Sequence, residues 1–384
     1  MNRFMSCVVV CCLSSPLIAA QPEPLQQSAP PVLPAVTSAM QKFVDDGTVS
    51  GVVTLVARNG KIVHLQALGA SDLESGTPMK NGTLFSIASM TKPIVATALM
   101  ILVDEGKVSL DDPVSKYLPK FADAKLGGGV ALSRPLTIKD LMTHTSGLGG
   151  NQVFSGTLAA EADRLAARPL DFQPGTKWQY SPGLNVVGRI IEVIAEQPLQ
   201  DFLQQRIFDP LQMKHTTFSP GGGEQRRMAT LYRKDAEGQL EEVENFIRDK
   251  TDQNVPNPSG GLVSNARDLY RFYRAVLNGG RFKQQQVVSA QSVKQMTAVQ
   301  TGELSTGFTP GNGWGLGWCV VREPQGVTKD VSPGTFGHGG AFGTQGWVDP
   351  VSRTIYVLLI QRSDLPNSDA SDLRAALHAA AQSR

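Results

Sequence analysis

Cysteine is scarce in this 384-residue chain: there are four, and Cys7, Cys11 and Cys12 fall within the first twelve residues. Only Cys319 lies in the body of the sequence, so no internal disulfide framework is available there and the fold must rest on its apolar core. Cys319 itself reads as a small apolar residue in a Trp-rich strand rather than a nucleophile. Charge of either sign is also modest. Charged residues make up 18% of the chain and the formal net charge is +2, too little to point to nucleic acid or an anionic membrane surface as partner. The histidines, at 64, 144, 215, 338 and 378, form no His-x-x-x-His pair and have no cysteine partner, so no metal site is read. There is no Gly-x-Ser-x-Gly elbow, which argues against an ordinary α/β-hydrolase. Gly221-Gly222-Gly223 lacks a following Lys-Ser or Lys-Thr and reads as a loop, not a phosphate cradle. No internal repeats are present.

What is present begins with a leader. Arg3 precedes a mostly apolar or small run from Phe4 to Ala20, and Ile18-Ala19-Ala20 suits cleavage before Gln21. Residues 1–20 are therefore expected to be a signal peptide, and the protein to be exported, periplasmic or secreted, with no transmembrane anchor after cleavage. Pro22, Pro24, Pro30, Pro31 and Pro34 make residues 21–34 an extended tether.

A helix is expected from Ala35 to Asp46, then strands Gly51–Ala57 and Lys61–Leu68 joined by Arg58-Asn59-Gly60, a hairpin signal. Ser89 to Glu105 reads as a buried helix ended by Gly106. Helices are expected at Leu136–Thr143, Leu184–Glu196, Leu199–Phe208 and Ala266–Leu277, the last closed by Asn278-Gly279-Gly280. Strands follow at Gly315–Val321, Thr344–Val348 and Thr354–Gln361, with a turn at Asp349-Pro350 and a final helix at Asp369–Ala380. Strands, then helices, then strands suit an α/β (α+β) fold: an antiparallel sheet built from both chain ends and flanked by helices. The sheet domain would comprise residues 35–110 and 253–384, and residues 111–252 would form an inserted, mainly helical domain.

Chemistry concentrates at Ser89-Met90-Thr91-Lys92, the one Ser-x-x-Lys of the chain. Residues three apart share a helix face, so Lys92 can reach the Ser89 hydroxyl. The apolar neighbours Ile94, Val95 and Leu99 disfavour the ammonium and so help the lysine act as a base. Further segments stand at wide spacing. They are Leu136-Thr137-Ile138-Lys139-Asp140-Leu141-Met142-Thr143-His144-Thr145-Ser146-Gly147-Leu148, Phe172-Gln173-Pro174-Gly175-Thr176-Lys177-Trp178-Gln179-Tyr180-Ser181, Gly260-Gly261-Leu262-Val263-Ser264, Gly313-Trp314-Gly315-Leu316-Gly317-Trp318 and Phe336-Gly337-His338-Gly339-Gly340-Ala341.

With these segments the chain resembles the serine β-lactamase and penicillin-binding-protein superfamily from about Val36 to Arg362. More narrowly it resembles the class C β-lactamase-like branch that includes the family VIII carboxylesterases. The resemblance implies a β-lactamase-like fold and no cofactor. It implies that Ser89 attacks a carbonyl, that Lys92 and Tyr180 manage its proton, and that the Ser89 and Ala341 amides hold the oxyanion, beside His338, Gly339 and Gly340. A phenol near an ammonium has its ionised form favoured, which would let Tyr180 share the serine proton. His144 is read as part of a loop shaping the cleft floor.

The chain departs from the family in two places. His338 and Gly339 stand where the family has Lys-Thr-Gly, and Tyr180-Ser181-Pro182 replaces Tyr-x-Asn. Both remove groups that recognise a β-lactam or a peptide carboxylate. The expected reaction is therefore hydrolysis of a small-molecule ester or amide. β-Lactam or D-amino-acid peptide hydrolysis, acyl transfer to an alcohol, and a slow-turnover binding or sensor protein remain open at this stage.

Overall fold

The structure, a computed structural model, describes residue 1 and residues 30–149, 156–245, 247 and 256–383. The expected signal segment and the first part of the tether lie outside the described residues. The expected hairpin forms from β1 (Gly51–Arg58) and β2 (Lys61–Asp72), and Asn59 and Gly60 both carry the positive φ its tight turn requires, 50° and 74°. A short β3 (Thr77–Pro78) follows. The C-terminal part supplies β4 (Asn312–Trp314), β5 (Cys319–Val321), β6 (Phe336–Gly339), β7 (Gln345–Asp349) and β8 (Thr354–Leu359). They form one eight-stranded antiparallel sheet in the order β4-β5-β6-β7-β8-β1-β2-β3. The two chain ends meet at the pairing of β1 with β8, which runs from Val53 opposite Leu359 to Arg58 opposite Thr354.

Strand β1 is buried on both faces, and its side chains divide with a period of two. Val52 and Val56 pack beneath α1 (Pro34–Asp45) and the C-terminal helix, with Met40, Trp347, Leu373 and Leu377. Val53, Leu55 and Ala57 face the other core, with Ile94, Leu99, Leu269 and Phe272. That second core is shared with α2 (Thr91–Asp104), α3 (Gly183–Ala195) and α4 (Ala266–Leu277). In α2 every residue from Thr91 to Leu102 is buried, as a helix apolar all round must be. The final helix is α5 (Asp372–Gln382). Among the described residues no helix is long and apolar enough to cross a membrane.

Three local expectations need correction. Gly315–Val321 is not one strand but the end of a hairpin: β4 and β5 are joined through residues 315–318, closed by the Gly315 amide on the Trp318 carbonyl at 2.8 Å. Gly317 sits there at φ 73°, against the Ala96 methyl of α2, where an added Cβ would collide. The helix at Leu136–Thr143 is shorter, Ile138–Met142, opened by a capping box of Thr137 and Asp140. A helix at Leu158–Ala166 was not anticipated, although Thr157 caps it and Leu158, Ala162 and Leu165 share a buried face.

Candidate active site

The nucleophile candidate is placed by a ladder of short pairings. Phe85–Ser86 pairs with Val263–Ser264, and the Ile87 amide donates to the Leu262 carbonyl at 2.9 Å. The chain then enters a 3₁₀ turn, Ala88–Met90, that runs directly into α2. The sequence reading had α-helix here. The tighter turn comes with Ala88 at φ 45°, in the left-handed region that a residue with a Cβ avoids. Backbone held in that region persists where its surroundings over-determine it, and such positions cluster at active sites. Ser89 is half-buried and reaches the cleft.

Lys92, one turn on, is buried in α2. Its Nζ donates to Ser89 Oγ at 3.1 Å and to the Ser259 carbonyl at 2.6 Å. Burial pushes its pKa down to about 7, so near neutrality a large fraction is a free amine able to take the serine proton. The Ser259 carbonyl is set by its own amide, which donates to Asn185 Oδ1 on α3 and to Asn257 Oδ1, at 3.1 and 3.0 Å. Sequence reasoning missed Ser259 and Asn185. The signal lay next to a quoted segment, since Ser259 immediately precedes Gly260-Gly261.

Tyr180 lies across from this pair. Lys92 Nζ stands 4.6 Å from the Tyr180 ring centroid. The Tyr180 hydroxyl is buried and approaches Ser89 without completing a hydrogen bond. Burial pushes the phenol upward, outweighing the nearby Ser89 hydroxyl. Burial thus works against the expected phenolate: Tyr180 rests as a neutral phenol, and Lys92 is the more readily deprotonated of the two.

Two histidines complete this wall. His338, on β6, is buried, and its Nδ1 lies 2.6 Å from the Gly339 carbonyl. A carbonyl only accepts, so Nδ1 carries the hydrogen and Nε2 presents a bare lone pair. Burial and the Lys92 charge push His338 down to about 4. Nε2 has no partner. His144 is fully buried and adopts φ 59°. Its Nδ1 accepts from the Ser181 amide at 3.1 Å, which places the hydrogen on Nε2, also unpartnered among the described residues. Burial, then the Lys92 and His338 charges, hold it neutral. The His144 ring lies 4.5 Å from that of Tyr180, so the loop read as cleft floor backs the phenol directly.

The end of β6 supplies the remaining edge. The Gly340 amide donates to the Thr344 carbonyl at 2.7 Å, and Thr344 Oγ1 donates to the Ile87 carbonyl at 3.2 Å. Gly340 therefore lies against the turn that carries Ser89, and a Cβ there would stand 2.5 Å from the Ile87 oxygen. Ala341 follows in exposed backbone, its amide without an acceptor among the described residues. The structure so brings Ser89, Lys92, Tyr180, His338, Gly339, Gly340 and Ala341 to one cleft. No cluster of ligating side chains that could hold a metal occurs among the described residues. Cys319 is buried in the apolar cluster that Trp178 and Tyr180 pack against, and burial pushes its thiol upward, so it stays a thiol.

A family model described as Beta-lactamase matches residues 36–381. Protein Rv1367c of Mycobacterium tuberculosis is 34% identical over 365 residues, covering 87% of this chain and 91% of the relative. Esterase EstB of Burkholderia gladioli is 33% identical over 342 residues, covering 78% of this chain and 82% of the relative. The solved structure of EstCE1, described as a hydrolase with promiscuous acyltransferase activity, superposes with a TM-score of 0.82 at 24% identity, over 91% of this chain and 98% of that one.

Proposed function

The chain belongs to the beta-lactamase family and is a serine hydrolase, and from that premise we propose that it hydrolyses small neutral carboxylic esters through an acyl-enzyme on Ser89. Lys92 takes the hydroxyl proton, the serine oxygen attacks the ester carbonyl, and the Ser89 and Ala341 amides hold the developing oxyanion. The proton passes by way of the Lys92–Tyr180 pair to the leaving alcohol. Water then enters by the same route in reverse and releases the acid.

The observation that carries the choice of substrate is the state of His338. A β-lactam or peptide carboxylate needs a cation or a hydrogen-bond donor to receive it. His338 offers neither, because its one hydrogen is taken by the Gly339 carbonyl and its other nitrogen is a buried, neutral lone pair. A carboxylate oxygen set against that lone pair is repelled, whereas a neutral ester is not. The relative named an esterase supports the same reading.

The test is a substrate panel of p-nitrophenyl butyrate, nitrocefin and a D-alanyl dipeptide. We expect turnover of the ester to exceed that of the other two, and Ser89→Ala to reduce it on the order of 10⁴-fold or more. In wild type the rate on the ester should climb with pH through about 7 and then level, as Lys92 loses its proton. Nitrocefin turnover far above that of the ester, or an alanine variant retaining most of its rate, would overturn the proposal.

A further inference from the structure

One large apolar side chain beside the site is left in the open. Phe308 is 51% exposed, yet it is not on a loose segment. Its carbonyl accepts from Asn367 Nδ2 at 2.9 Å, and the next residue, Thr309, donates to Asp369 Oδ2 at 2.8 Å. The ring stands edge-on to Tyr180 and to Trp178, with centroids 5.2 and 6.1 Å away. Trp314 packs against both Trp178 and Tyr180, with centroids 5.3 and 6.0 Å away. The indole N–H groups of Trp178 and Trp314 are buried and have no acceptor among the described residues. An aromatic wall thus begins at the Tyr180 ring and runs outward to a fixed, uncovered phenyl face.

We propose that this wall binds the alcohol portion of the substrate, and that the preferred substrates are esters of aromatic or arylalkyl alcohols. The inference rests on the ester reading above. During acylation the bond from Ser89 Oγ to the carbonyl carbon forms and the bond from that carbon to the alcohol oxygen breaks. The proton taken from Ser89 goes to the departing oxygen. The Tyr180 ring neighbours both Lys92 Nζ and the Phe308 ring, so the oxygen that receives the proton is placed at Tyr180, and its substituent continues onto Phe308 and Trp178. An aromatic ring there gains offset or edge-to-face contact and covers apolar surface that water now touches. The acyl chain leaves the carbonyl in the opposite direction and gains nothing from the wall.

The experiment compares methyl butyrate, benzyl butyrate and methyl phenylacetate on wild type, Phe308→Ala and Phe308→Leu. Benzyl butyrate should exceed methyl butyrate in kcat/KM, and Phe308→Ala should lower that benzyl-to-methyl ratio about fivefold, as expected for one lost aromatic contact. Phe308→Leu should recover part of it. The ratio of methyl phenylacetate to methyl butyrate should not change. An unchanged benzyl ratio in the alanine variant would overturn the proposal, as would a loss confined to methyl phenylacetate, which would move the wall to the acyl side. If wild type hydrolyses none of the three, nor p-nitrophenyl butyrate, the ester reading fails and this one with it. A p-nitrophenyl ester turned over beside equal methyl and benzyl rates sinks the wall alone.

Discussion

The two sides of the cleft differ in how far their polar atoms are paired. On the α2 side Lys92 is paired with Ser89 and the Ser259 carbonyl, and the Ser259 amide is in turn held by Asn185 and Asn257, which leaves the Ser259 hydroxyl as the one unpaired group named there. On the facing side the Tyr180 hydroxyl and the Nε2 atoms of His144 and His338 are buried and have no partner among the described residues. An unpaired buried polar atom costs roughly 1–3 kcal/mol, so three together mark a place kept for something else. The difference assigns the work. In the proposed mechanism the first side stores and releases a proton at a preset distance. The other is left open for substrate and water to complete.

The largest test of this contrast is Lys92→Met. It removes the only strong resting base, and kcat should fall on the order of a thousandfold. It should also stabilise the fold. Because the folded pKa of Lys92 lies below its unfolded value, its ammonium penalises folding fully below about pH 7, and that penalty fades as pH rises toward the unfolded value. We expect Tm to rise by about 3 °C at pH 6, and by less at pH 9. Calorimetry showing a lower Tm at both pH values would mean that the lysine supports the structure rather than straining it.

Tyr180→Phe should cost less. The ring contacts to His144, Trp178 and Phe308 remain, so KM should move little while kcat drops about a hundredfold. The rise in rate near pH 7 should persist, since it belongs to Lys92. A pH profile that lost that limb in the phenylalanine variant would transfer the titration to the phenol and erase the distinction between the two sides.

The smallest effect concerns the open side alone. His338→Lys replaces a lone pair with a cation. The ratio of kcat/KM for a substrate bearing a free carboxylate to that for a neutral ester should rise about tenfold. No change in that ratio would show that His338 does not face the bound substrate.

The sequence made one of these sides more legible than the other. Ser89 and Lys92 are three residues apart on one helix, so their meeting follows from helical geometry alone. The sheet was readable for a similar reason, because the Asn59-Gly60 turn and the alternating strands announce themselves locally. The other side draws on residues 144, 178–180, 308, 314 and 338, which meet only after β4 through β6 and the helical segments have packed. Its tautomers could not be read from residue types. Each depends on which backbone group reaches Nδ1, a carbonyl at His338 and an amide at His144. The hairpin at residues 312–321 was missed because its turn is Gly-Leu-Gly-Trp, apolar residues that look like strand. The positive φ of Gly317 and its closeness to α2 decide the matter.

The pairing of β1 with β8 has a bearing on how the protein comes into being. Strands near residue 55 find their partners near residue 357, so the support beneath the Ser89 turn waits for almost the whole polypeptide to leave the ribosome. Until then the inner edge of the N-terminal hairpin is bare and open to pairing with a neighbouring chain. Slow translation or a stalled C-terminus should therefore yield aggregated protein rather than a folded, partly active fragment.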